Sequence, residues 1–99
     1  MKYIIVSVMV EREGDQYVSK CVELGTASFG ASEEEAVRNA IDATLAYLDT
    51  LEDVGECDRV LQQKGVPIRE GESAGPRMRC SPGSIVHPAV LPLPSSIYV

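Results

Sequence analysis

Thr26-Ala27-Ser28-Phe29-Gly30-Ala31-Ser32-Glu33-Glu34-Glu35-Ala36 is the stretch in which the chain changes its period. Ser32 and Glu35 have the spacing of a capping box, in which the Ser32 hydroxyl accepts from the Glu35 N–H and the Glu35 carboxylate reaches back to the Ser32 N–H. Three successive acids also complement the positive end of a helix that starts here. Downstream, Ala36, Val37, Ala40, Ile41, Thr44, Leu45 and Leu48 recur at three- and four-residue spacing. That spacing predicts an amphipathic helix over 32–53 with one face for a sheet. Upstream, the short run Thr26 to Phe29 reads as a strand ending at Gly30.

The strands before it alternate. Ile4, Val6, Val8 and Val10 share one face of residues 3–12, with Tyr3, Ile5, Ser7, Met9 and Glu11 on the other. Glu13-Gly14-Asp15 is a turn signal, after which Val18, Val22 and Leu24 stand opposite Tyr17, Ser19, Cys21 and Glu23. The two runs make a hairpin, and Gly25 reverses the chain into the third strand. After the long helix, Gly55 interrupts, and Glu56 to Lys64 suits a short second helix with Val60 and Leu61 buried before Gly65 and Pro67.

All six prolines lie beyond residue 65, among the 99 residues of the chain. Proline fixes φ and lacks an N–H, so this density marks a change of organisation. The expectation is a compact head over 1–65 and a Pro-rich tail over 66–99, with 66–83 disordered. Within the tail, Ser84 to Val90 is β-branched enough to form a strand, which Pro88 confines to a sheet edge or an arm over 84–94. Leu91-Pro92-Leu93-Pro94 then continues as polyproline II. Exposing Ile85, Val86, Val90, Leu91 and Leu93 together would leave a large apolar patch, so this arm is expected to be ordered and to support an oligomer. The whole is an α+β fold: a three-stranded antiparallel meander crossed by one long helix, with a short second helix and an extra edge strand.

Charge narrows the function. Residues 1–65 hold 6 Lys and Arg against 13 Asp and Glu, a net of −7, while 66–99 hold 3 against 2, a net of +1. Phosphate contact needs clustered Lys and Arg, so direct nucleic-acid binding is not expected, and a basic protein partner suits the head better. No apolar run reaches the roughly 18–20 residues of a membrane-spanning helix. The start of the chain has no signal-peptide pattern either, so the sequence reads as cytoplasmic.

Candidate catalytic chemistry is thin. A two-metal nuclease of the RNase H type needs a carboxylate in the middle of its first strand, and Ile4 to Val10 has none. Glu11, Glu13 and Asp15 sit at the hairpin end as solvated turn acids. His87 is the only histidine and stands beside Pro88, which suits a surface or packing role. Cys21, Cys57 and Cys80 fit neither a disulfide framework nor a zinc spacing. Glu56 and Asp58 oppose thiolate formation at Cys57, and Cys21, alternating with Tyr17 and Ser19, is packed. No catalytic residue, metal site or cofactor is expected.

The string Gly14 to Gly25, with Tyr17-Val18 and Cys21-Val22-Glu23-Leu24, followed by Ala27 to Ala36 with its Glu34-Glu35-Ala36 helix entry, resembles the HicB-like antitoxin family. The resemblance covers about residues 3–65, with Ser32 in place of the usual Thr and Val22 where proline is common. It implies a partial RNase H-like fold and an antitoxin that binds a small basic HicA-like ribonuclease toxin. Many members of that family add a C-terminal DNA-binding part, for which residues 66–99 lack both a helical period and a basic cluster. On this reading the acidic run Asp49, Glu52, Asp53, Glu56 and Asp58 receives the toxin's Arg and Lys side chains, with Glu52, Asp53, Glu56 and Asp58 as the partner-binding set. The rival reading is a stand-alone oligomeric scaffold that assembles through its sheet edges and tail.

Overall fold

In a computed structural model that describes residues 2–71, 77–78 and 86–94, the chain runs β1 (Lys2–Glu13), β2 (Gln16–Cys21), β3 (Ala27–Gly30), α1 (Glu33–Asp53), α2 (Cys57–Gln63), β4 (Arg69–Glu70), β5 (Arg77–Met78) and β6 (Val86–Pro92). The fold is α+β, as expected. The strands form one antiparallel sheet in the order β3-β2-β1-β6-β5, with β4 paired to the start of β1. Because Tyr3 pairs with both Arg69 and Pro92, β4 lies along the edge of β1 that β2 occupies farther on, and β6 takes the opposite edge.

The period-two pattern of β1 sets the layers. Ile4, Val6, Val8 and Val10 are buried beneath the α1 stripe Ala36, Val37, Ala40, Ile41, Thr44, Leu48 and Leu51. Register then decides which side of β2 turns inward. Val8 pairs with Cys21, Val10 with Ser19 and Arg12 with Tyr17, so the small polar Ser19 and Cys21 are buried. Val22 is 49% exposed. The inward Ser19 hydroxyl is satisfied by donating to Ala36 O at 2.7 Å. Leu24 reaches the core through the turn after Cys21, where Gly25 N–H donates to Cys21 O. In the same turn the Glu23 carboxylate accepts the Ser7 N–H at 2.8 Å, and Val22 N–H donates to Ser7 O.

α1 starts at Ser32, whose hydroxyl accepts the Glu35 N–H at 3.1 Å. The return bond of the capping box falls one residue earlier than expected: with Ser32 extended at φ −138° and ψ 164°, the Glu35 carboxylate takes the Ala31 N–H at 3.3 Å. Both helices stop by the same device. Gly55 at φ 72° lets its own N–H reach Glu52 O and lets Glu56 N–H reach Leu51 O, and Gly65 at φ 69° repeats the pattern onto Gln62 O and Leu61 O. These are paired Schellman bonds, completed at α2 by the buried Val66 and Leu61. Gly30 has a different duty, since a Cβ there would lie 2.6 Å from Ala36 N and 2.9 Å from Glu35 C. The strand can approach the first turn of α1 so closely only without a side chain.

The expected extra strand is present at the edge of the meander, with two corrections. β6 is not the outermost strand, because β5 pairs with its Val90 and Ala89. The connection expected to be disordered over 66–83 contains buried Val66 and the short strands β4 and β5. His87, Ala89, Leu91 and Leu93 point into the core formed by the head, opposite Val8, Val6 and Ile4 where they pair. His87 is 0% exposed, so of the two roles expected for it the packing one holds. The prolines fit by parity. Ser7 directs its N–H and C=O toward the β2 side, so its partner Pro88 turns its own amide position away from β1 and no ladder bond to β1 is lost. Pro92 shares that parity.

Burial of β6 makes its side chains structural. Leu91→Ala should lower the unfolding free energy by about 2–5 kcal/mol, as deletions of buried leucine do, while Val54→Ala at an exposed position should stay within about 0.5 kcal/mol. Urea unfolding of the two variants compares them directly, and a neutral Leu91→Ala would mean that β6 is not docked.

Candidate partner-binding surface

Helix geometry groups the acidic side chains expected to bind a partner. Asp49, Glu52 and Asp53 occupy the last turns of α1, Glu56 is the N-cap of α2, and Asp58 lies in its first turn. Asp49, Asp53 and Asp58 are exposed, whereas Glu52 and Glu56 are half-buried. Beyond burial itself, the negative charges of Glu52 and Asp58 both push the Cys57 thiol upward. Glu56 differs from the others because it is ion-paired with Arg59 one turn on. Its charge is therefore already answered within the chain, and Asp49, Glu52, Asp53 and Asp58 form the more available set.

This placement is electrostatically unfavourable for the isolated helix. The C-terminal end of α1 carries the negative pole of the helix dipole, and its last turn has no basic residue. Asp49, Glu52 and Asp53 add like charge to that pole. By contrast, Glu33, Glu34 and Glu35 at the other end are favourably placed. Val54, 65% exposed, is the C-cap of α1 and lies between Asp53 and Glu56 in the chain, an exposure that hydropathy does not indicate. A surface of this kind suits a partner that brings cationic side chains with aliphatic stems.

The expected arm residues divide between core and surface. Leu91 and Leu93 are buried in the chain's own core, Val90 is half-buried, Val86 is 49% exposed, and Ile85 lies outside the described residues. The hairpin acids Glu13 and Asp15 meet Glu35, Gln16, Phe29, Gly30 and Ala31 around an open cleft of about 540 Å³ at the start of α1. Among the described residues no group of three or more His, Cys, Asp or Glu side chains is arranged to hold a metal ion. No helix among them is long and apolar enough to cross a membrane.

Two of the cysteines are buried thiols, and Cys80 lies outside the described residues. Desolvation pushes both upward, with Glu23 adding to it at Cys21 and Glu52 and Asp58 adding to it at Cys57. Of the two acids expected to act on Cys57, Asp58 does so, while the second contribution comes from Glu52 across the helix junction instead of Glu56. Thr44, which donates to Ala40 O and shares a 2.5 Å hydrogen bond with Thr26, partly offsets the shift at Cys21. No family model matches the chain, and comparison with curated proteins and with solved structures found no match.

Two outcomes follow from these charges. Replacing Glu52 and Asp53 by Gln and Asn should raise thermal stability, by roughly 0.3–1 kcal/mol for each charge removed from the helix end, and added salt should shrink the gain. A loss of stability would mean that these acids have partners of their own. Because both thiols are held above the ordinary value of 9.0, the folded state keeps their protons more tightly than the unfolded chain. Stability should then fall as the pH climbs past that value. Cys21 and Cys57 should resist alkylation at neutral pH until denaturant is added, as mass spectrometry of the labelled peptides would read.

Proposed function

We propose that the chain is a non-enzymatic binding module of the HicB-like antitoxin type, which neutralises a small basic HicA-like ribonuclease toxin by covering it. The observation that carries the reading is the acidic surface at the α1–α2 junction, where Asp49, Glu52 and Asp53 add like charge to the negative pole of α1, exposed Val54 is the C-cap and Asp58 follows in the first turn of α2. A cationic partner relieves that repulsion on binding, so the strain in the free protein becomes affinity in the complex. The meander crossed by one helix is also the arrangement that the resemblance implies. Neutralisation is steric and electrostatic: the acidic surface receives the Arg and Lys side chains with which such a toxin would hold RNA, and the bulk of the module occludes its active-site histidine. A cytoplasmic location accords with such a partner.

The scaffold reading assembles copies through the sheet edges and the tail. With β6 hydrogen-bonded along its own β1, and Leu91 and Leu93 inside their own core, those residues need no second copy for cover.

Affinity purification from the native host, followed by mass spectrometry, should return a small basic protein. Its complex should weaken by about tenfold or more on Glu52→Gln with Asp53→Asn, and also on raising salt, since rim charges act through screened attraction. An unchanged affinity in the double variant would move the binding surface elsewhere on the molecule. Recovery of no basic protein at all would overturn the antitoxin reading.

A further inference from the structure

The helices lie on one face of the sheet, and among the described residues no helix covers the opposite face, although Pro92, which pairs with Tyr3 there, is buried. Alternation and register bring Ile5, Met9, Val18, Phe29, Val86 and Val90 onto that outer face across four neighbouring strands. Phe29 is 61% exposed, Val86 49% and Ile5 43%, and the other three are half-buried. Solution proteins rarely leave an apolar patch of this extent uncovered.

We propose that this outer sheet face is the docking surface for a second copy of the same chain. Charge distribution selects that occupant. Residues 33–64, the helical layer, carry 9 Asp and Glu against 3 Lys and Arg, a net of −6. That equals the formal charge of the whole chain, so the remaining residues are neutral in sum, with 6 of each sign. Two copies can therefore meet through their sheets while their acidic helices point away from each other, at the greatest separation available to them. A basic partner gains nothing electrostatic on this face, whereas it gains on the helices.

The polar residues of the face suit a two-fold arrangement. Glu11 and Lys20 are diagonal neighbours across β1 and β2, in the pairs Glu11 with Val18 and Met9 with Lys20. In an isologous contact each residue of one copy meets a different residue of the other, and the reciprocal meeting occurs on the far side of the axis. One acid and one base on the same face can thus face each other twice without like-charge contact, while apolar burial carries the association. β1, β2, β3 and β6 have 12, 6, 4 and 7 residues, and at roughly 4.8 Å strand spacing and roughly 3.3 Å rise they give a plan area of about 460 Å² per copy. Two such faces come close to the lower bound of about 1,000–1,200 Å² for specific interfaces, which implies a modest, concentration-dependent dimer. This inference is independent of the antitoxin reading, because it uses the opposite face.

Sedimentation equilibrium of the full chain from about 10 µM to 1 mM tests it. The expected result is a monomer–dimer equilibrium with a dissociation constant on the order of micromolar, preserved or strengthened at high salt. Ile5→Glu should weaken it at least tenfold, and Phe29→Ser, which truncates an exposed ring, provides a second variant if the first fails to fold by circular dichroism. Glu52→Gln on the helical face should leave it within twofold. A monomer at 1 mM would overturn the proposal, as would a dimer that salt dissociates or one indifferent to both face variants. A monomer that dimerises only after residues 95–99 are deleted would make the chain's own end the occupant, which also overturns it.

Discussion

The inward stripe of β1 is the constraint from which the other elements take their positions. Ile4, Val6, Val8 and Val10 fix which face of the sheet α1 covers. The same four residues set the register of everything paired to the strand. Val8 draws Cys21 inward on one side and His87 on the other, so one row across the sheet runs thiol, valine, imidazole, all out of contact with water. Because the side-chain period of a strand is two, a slip of one residue would turn all of these outward together. The Ser19 hydroxyl on the Ala36 carbonyl and the Thr26–Thr44 hydrogen bond then fasten the helix to the meander at defined points. The first is a polar contact inside the core and the second lies at its margin, and both are satisfied because the register leaves each hydroxyl beneath a helix group that can take part.

The parts of the fold legible in the sequence are those whose signals are local. The β1 alternation, the Ser32 cap, the α1 stripe and the two glycine stops each depend on residues a few positions apart, and each stands where the pattern put it. The inward side of β2 was legible at Cys21, which reads as packed, but not at Ser19, because hydropathy favours Val18 and Val22 for the core. Pairing with β1 overrides intrinsic preference there. Burial of His87 was hidden for a related reason. Its neighbours in sequence are a valine and a proline, and only the long-range pairing with Val8 places it inside.

The acidic site was legible in composition but not in detail. A run of Asp and Glu can be read directly, yet two facts that shape its chemistry come from helix geometry. Arg59 answers Glu56 because three residues make a neighbour on a helix, and the Glu52 charge acts on the Cys57 thiol because the chain turns at Gly55 straight from α1 into α2. The molecule is thereby polarised, with its charge on the helical layer and its uncovered apolar surface on the sheet layer. These two faces are open to different classes of partner.

The pairing of β6 with β1 also bears on how the chain comes to be folded. Nearly the whole described sequence separates these two strands, and Ile4 and Val6 lack neighbours on one flank until Leu91 and Ala89 arrive. A nascent chain that has emerged only as far as α2 has its hairpin and helix but an open edge on its innermost strand. Contacts of such long sequence separation slow folding, since the loop must close before the contact forms. The sheet is therefore completed after synthesis of β6 and not during that of the head. Until then the bare edge of β1 is the part of the molecule most in need of protection from pairing with the wrong strand.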